Sequence, residues 1–150
     1  PATDRRLLGR LPWTFETPGF AFVHASYPEP EAWWYVIDER DAAPHLAAQP
    51  APVSFFGHTH RQGGWESGPA GLRSIQAPGP LLLHPGSKYA LNPGSVGQPR
   101  DRNPRAAFLI CEPARRRIEF LRVRYNLTRA FQAYRRAGRE EMGLRLRTGT

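Results

Sequence analysis

Three histidines carry the chemistry most readily read from this sequence. His58 and His60 stand one residue apart in FFGHTH, and His24 stands in FAFVHAS. Each follows an apolar run, so each is expected at a strand end, where functional side chains collect on loops and not within the packed sheet. Neutral imidazole nitrogens suit borderline divalent ions such as zinc, manganese, iron or cobalt. A His-x-His pair also occurs without metal, and it is the matching placement of His24 that favours a shared metal centre. Gly57 is expected to let the backbone turn tightly beside the pair. Thr59, between two inward-facing histidines, is expected to point away from a metal and support the loop. His45 and His84 are read as non-ligands, and Arg61 as a solvated neighbour of the site.

The elements that must position these residues follow from apolar runs and breakers. FAFVHAS reads as a short strand delivering His24, followed by a Pro-rich turn, YPEPE. AWWYVIDERDAAPHLAA reads as a helix broken near Pro44. APVSFFGHTH reads as a second strand ending in polar chemistry. LRSIQAP, LLLHPG and KYALNPG are short strand candidates, and AAFLICEP with RRIEFLRVRYN forms the clearest pair. The second member of that pair has no uniformly apolar face, which places it at an edge or a bulge, with wet arginines. LTRAFQAYRRAG has helical spacing, a capping residue in Asn126 and a stop at Gly138.

Bulk composition limits the function classes. The chain has 150 residues, 40% of them hydrophobic, enough for one domain with a core. Its 14 glycines and 16 prolines imply many turns and short elements. No stretch approaches the roughly 18 apolar residues of a membrane span, nor does PATDRRLLGR resemble a secretory signal, so a cytoplasmic location is expected. Cys111 is the only cysteine, which excludes an internal disulfide and fits a small buried strand residue. The net charge of +8 is uneven: residues 100–150 hold 14 arginines against 5 acids. Such a field can attract phosphate-bearing ligands or nucleic acid, although arginines on solvated faces produce it as well.

A resemblance then adds to this reading. FVHASYPEPEAWWYV at 22–36, FFGHTHRQ at 55–62 and LNPGSVGQPRDRNPRAAFLI at 91–110, in that order and spacing, resemble a calcineurin-like metallophosphoesterase of the small prokaryotic phosphodiesterase branch. The resemblance covers nearly the whole chain and implies an α/β (α+β) fold, part of a two-sheet αββα sandwich. It implies metal-dependent hydrolysis of phosphodiester or phosphomonoester bonds by an activated water at two divalent ions. Manganese is the preferred metal, with iron, nickel, cobalt or zinc admissible. His24 and His58 would be ligands of one ion and His60 a ligand of the other. The loop containing Asn92, Ser95, Arg100 and Asp101 would shape the cleft, its Asn and Ser bonding to backbone and its Arg able to reach a phosphate.

The chain departs from the family pattern in one respect. The family's aspartate-x-histidine, glycine-aspartate and glycine-asparagine-histidine segments have no counterpart here, and Asp4, Asp38, Asp41 and Asp101 stand in other contexts. Residues 1–150 are therefore expected to be a carboxy-terminal portion whose amino-terminal metal-binding half lies elsewhere, in the same or a separate polypeptide. Apolar strand faces left open by that absence are a further expectation. Trp33, Trp34 and Tyr35 are expected to pack against the absent half, with base stacking the lesser reading. A phosphoester or nucleotide-like small molecule is the expected partner. The competing reading is a noncatalytic phosphate- or nucleic-acid-binding module that keeps the fold's second half.

Overall fold

The computed structural model describes residues 2–150. Its elements are α1 (Ala2–Leu8), β1 (Thr14–Thr17), β2 (Phe20–Val23), α2 (Glu39–Ala48), β3 (Val53–Phe55), β4 (Gln62–Gly68), β5 (Gly71–Ile75), β6 (Gly79–Leu82), β7 (Lys88–Pro93), β8 (Ala106–Glu112), β9 (Arg117–Val123), α3 (Leu127–Arg136) and α4 (Glu140–Thr148). Short 3-10 turns lie at Pro30–Ala32 and Pro113–Arg115. Six strands form one mixed sheet in the order β1-β2-β3-β7-β4-β5, and three form an antiparallel sheet in the order β6-β9-β8. Among the described residues no helix is long and apolar enough to cross a membrane.

Alternation along the central strands explains the layering. On β7, Tyr89 and Leu91 point between the sheets, where they meet Val53, Ile75, Ile118 and Phe120, while Ala90 points to the opposite face. That opposite face also carries Ala21 and Val23 of β2 and is covered by Ala42 and Leu46 of α2. A strand buried on both faces reads as a nearly unbroken apolar run, as KYAL does. The result is a helix, a six-stranded sheet and a three-stranded sheet in succession, a mixed α/β arrangement of the metallophosphoesterase type. Towards β1 the inter-sheet face is open: Phe15 is 57% and Phe22 37% exposed. Phe15, Phe22, Phe55 and Phe20 form a ring ladder there, with centroids 5.2–6.0 Å apart. The expected open apolar face is thus present.

Three local expectations are corrected. First, α2 does not break at Pro44, which lies inside it. It begins at Glu39 because Asp38 and Asp41 form a reciprocal capping box, the Asp38 carboxylate accepting from the Arg40 and Asp41 N–H groups and Asp41 accepting from the Asp38 N–H. Second, β9 is the central strand of the smaller sheet and not an edge. Its mixed face arises because Arg122, with a side chain only 8% exposed, is paired with Asp101. Third, Cys111 is only partly buried. The helix at 127–136 is found as expected, with Asn126 accepting from the Arg129 N–H.

Two buried polar clusters stabilise the layers. In the first, His45 is fully buried, and its Nε2 lies 2.9 Å from Ser54 Oγ. Ser54 donates to Gln49 Oε1, so the Nε2 of His45 must carry the proton and donate, leaving Nδ1 without a partner. Burial lowers the His45 pKa to about 4. In the second, Arg122 spans from β9 to the Asp101 carboxylate and donates through Nε to Gln62 Oε1 at 2.8 Å. Gln62 in turn donates through its backbone N–H to Asp101 and through Nε2 to the carbonyls of Phe108 and Leu121. Burial alone would raise the Asp101 pKa, but Arg122 and the Gln62 N–H outweigh it and hold the carboxyl below its usual range.

Two predictions follow from these clusters. Because His45 is held neutral in the folded chain but titrates near 6.5 when unfolded, its contribution is present above pH 6.5 and lost as the pH falls towards 4. The loss is about 3 kcal/mol, and urea titrations at stepped pH should show a shallower decline for His45→Leu than for the wild type. For the second cluster, Arg122→Leu leaves the Asp101 carboxylate enclosed without its cation and should destabilise the chain by about 3 kcal/mol. Adding Asp101→Asn to that variant should restore a measurable part of the loss in the same titration.

Candidate metal centre

The parallel strands β2, β3 and β7 bring three loops to one end of the larger sheet. His24 follows β2, His58 and His60 follow β3, and Asn92 ends β7 ahead of the loop containing Gln98 and Arg100. In open α/β sheets the carboxyl ends of such strands are where ligands bind. The first two loops are joined directly, since the Gly57 N–H donates to the His24 carbonyl at 2.9 Å. Gly57 itself is not in the left-handed conformation. A Cβ there would stand 3.4 Å from the His24 carbonyl, in ordinary van der Waals contact with the neighbouring loop.

The left-handed residues are the histidines. His58 has φ 61° and His60 φ 57°. Non-glycine residues in this region cost free energy and persist where surrounding bonds enforce them, often at functional sites. Here the enforcement is visible. Asn92 Nδ2 donates to the Gly57 carbonyl at 2.8 Å and to Thr59 Oγ1 at 2.9 Å, and the Arg61 N–H also donates to Thr59 Oγ1. Thr59 is buried beneath the loop, its hydroxyl held by the Asn92 amide.

All three imidazoles gather at this end of the sheet, with unequal closeness. The ring centroids of His24 and His58 are 5.2 Å apart. His60 is held from the other side, where its Nδ1 lies 2.7 Å from the Gln98 carbonyl and its own carbonyl accepts from the Arg100 N–H. Burial lowers the His58 pKa, helped by the charges of His24, Arg100 and His60 and opposed by the Trp33 carbonyl acting on the ring as an acceptor. Burial likewise lowers the His60 pKa against the Gln98 carbonyl, with Arg100, His24 and Arg145 adding to the lowering. His60 faces the Gln98 carbonyl with Nδ1, and the Trp33 carbonyl acts on the His58 ring. Outer acceptors of this kind fix the tautomer of metal-binding histidines.

The sequence did not disclose those acceptors, because a backbone carbonyl carries no residue-type signal. Nor did it place the aromatic cluster. Tyr35 stacks on His58 with centroids 4.3 Å apart and an interplanar angle of 15°, and Trp33 lies against both His24 and His58 at 4.9 and 5.3 Å. Trp34 points away, its indole N–H donating to Glu29. Of the remaining candidates, His45 lies in the buried cluster under α2, His84 is exposed beyond β6, and Asp101 is engaged by Arg122. Asn92 and Ser95 bond to backbone as expected, Ser95 Oγ accepting from the Gly97 and Gln98 N–H groups. As donors the imidazoles suit a divalent ion. Among the described residues, however, no group of three or more His, Cys, Asp or Glu side chains is disposed to hold one, and no carboxylate joins the three histidines.

Comparison with known proteins agrees with this architecture. No family model matches the chain. An uncharacterized protein of Methanocaldococcus jannaschii is 32% identical over 120 residues, which are 74% of this chain and 43% of that protein. The crystal structure of a metallophosphoesterase from Sphaerobacter thermophilus matches with a TM-score of 0.87 at 32% identity, covering all of this chain and 64% of the other. A hypothetical protein from Pyrococcus horikoshii shares the fold, with a TM-score of 0.69 at 14% identity over 99% of this chain and 55% of its own. The chain thus spans between about two fifths and two thirds of the length of the proteins it matches. In sequence and in fold it resembles the metallophosphoesterase superfamily, consistent with the carboxy-terminal half of that architecture.

Proposed function

We propose that this chain supplies His24, His58 and His60 to a two-metal centre that hydrolyses phosphoesters, with carboxylate donors contributed by another segment or polypeptide. The observation that carries the reading is the paired restraint of His58 and His60. Both are held in left-handed backbone, and His60 turns its Nδ1 to the Gln98 carbonyl. Burial and neighbouring cations keep both rings neutral, the state in which imidazole coordinates a metal. Such a centre supplies polarisation of the phosphoryl oxygens and a more acidic water at neutral pH.

The chain's own residues have positioning roles in this reading. Gln98 and Trp33 orient the imidazoles through their carbonyls, and Asn92 with Thr59 holds the loop that presents them. Arg100 has its Nη2 fixed on Gln98 Oε1 at 3.0 Å, and its charge acts on both His58 and His60. A guanidinium fork so placed suits the oxygens of a phosphate. Manganese is the metal we favour, and phosphodiesters such as bis(4-nitrophenyl) phosphate are the first substrates to try.

Metal binding tests the reading without requiring turnover. Titration of the chain with Mn2+, followed through the spectrum of the free ion, should give an affinity that falls at least about ten-fold in His58→Ala and in His60→Ala. Thr59→Val, which removes a hydroxyl from the loop without removing a donor, should have a smaller effect. Equal affinity in the wild type and both histidine variants would refute the assignment.

A further inference from the structure

Beyond the imidazole loops, the basic carboxy-terminal third carries an open pocket of about 590 Å3. Asn103, Pro104 and Arg105 line it on one side, and Arg124, Tyr125 and Leu127 on the other. It lies where the chain leaves β9 and enters α3, so Leu127 brings the first turn of a ten-residue helix to its wall. Three independent features make it suited to an anion. Arg105 and Arg124 have no ion-pair or side-chain hydrogen-bond partner among the described residues. The hydroxyl of Tyr125 is enclosed and also lacks a partner. The positive end of the α3 dipole adds to the field of the two guanidinium groups.

The surrounding charges strengthen the case. Residues 100–150 contain 14 arginines and 5 acids. Three of those acids are already engaged, Asp101 by Arg122, Glu112 by Arg115 and Arg117, and Glu119 by Arg117. The other two, Glu140 and Glu141, stand in the first turn of α4. Among the described residues no carboxylate lines the pocket or forms an ion pair with Arg105 or Arg124. An enclosed hydroxyl without a partner is costly to keep, and this one belongs to a residue that lines the pocket beside the two unpaired cations. We infer that this pocket is a second phosphate-binding site, distinct from the imidazole centre, in which Arg105 and Arg124 grip the phosphate oxygens. Asn103 flanks the anion, and Tyr125 donates its hydroxyl when the site is filled. The ligand is a phosphate group, whether free or part of a polynucleotide backbone.

Calorimetric titration of the chain with inorganic phosphate, at fixed ionic strength in chelator, tests this directly. The wild type should bind phosphate, and the double variant Arg105→Gln, Arg124→Gln should bind it at least ten-fold more weakly. His58→Ala with His60→Ala should leave that affinity unchanged, which separates this site from the proposed metal centre. Tyr125→Phe guards against a folding artefact. Without phosphate its Tm should equal or exceed that of the wild type, since an unpaired hydroxyl is removed, while added phosphate should raise its Tm less. Equal phosphate affinity in the wild type and the arginine double variant would overturn the inference, as would no binding at all or loss of binding in the histidine double variant. Competition by an eight-residue oligothymidylate would identify a polynucleotide backbone as the source, and its absence a free phosphate or small ester.

Discussion

The contact on which the arrangement most depends is the one linking Gln62, Asp101 and Arg122. Gln62 begins β4 in the larger sheet, Arg122 belongs to the centre of the smaller sheet, and Asp101 belongs to the loop that follows β7. No two of the three belong to the same element, so their mutual bonds fix both the sheet spacing and the loop position. The nearby Gln98 carbonyl holds His60, and the Arg100 N–H bonds back to the His60 carbonyl. An ion pair in this setting need not add much net stability, because desolvation offsets much of the attraction. Its contribution is geometric: it selects one placement of the loop from the many that apolar packing would tolerate.

A second constraint operates within the histidine loop itself. Asn92 binds both the carbonyl before His58 and the hydroxyl between the two histidines, so a single amide holds a backbone path that costs free energy. Thr59 is buried beneath the loop, and the first strand's loop is drawn in by the Gly57–His24 bond. Tyr35 and Trp33 then close over the rings. The site is built from loops, yet each loop is fixed by polar contacts to a strand or to the neighbouring loop.

Much of this was legible in the sequence, for identifiable reasons. The placement of His24, His58 and His60 beyond strand ends was legible because apolar runs ending in polar residues mark such ends, and Asn126 and Gly138 bounded α3 through ordinary capping chemistry. The strand at Gln62–Gly68 was missed because its glycines and polar residues give no alternation. Gly64 is there because the backbone of Ala90 comes too close for any side chain. Pro44 misled because a capping box can sustain a short helix past a missing N–H. Arg122 appeared to belong in solvent because its partner lies 21 residues away, a separation that periodicity cannot register. The carbonyls facing His58 and His60 left no trace in residue type at all.

The parallel pairing of β2, β3 and β7 also bears on the order of events during folding. Phe20 pairs in register with Val53, and Val53 with Tyr89, so the strands that present the imidazoles meet only after long intervening segments have been spanned. Closing such loops is entropically slow compared with forming the β8–β9 hairpin, whose partners are neighbours in sequence. The smaller sheet can therefore act as an early platform, with the histidine loops converging last. The three imidazoles are scattered along the nascent chain, and the centre proposed for them could form only after apolar burial had settled the topology.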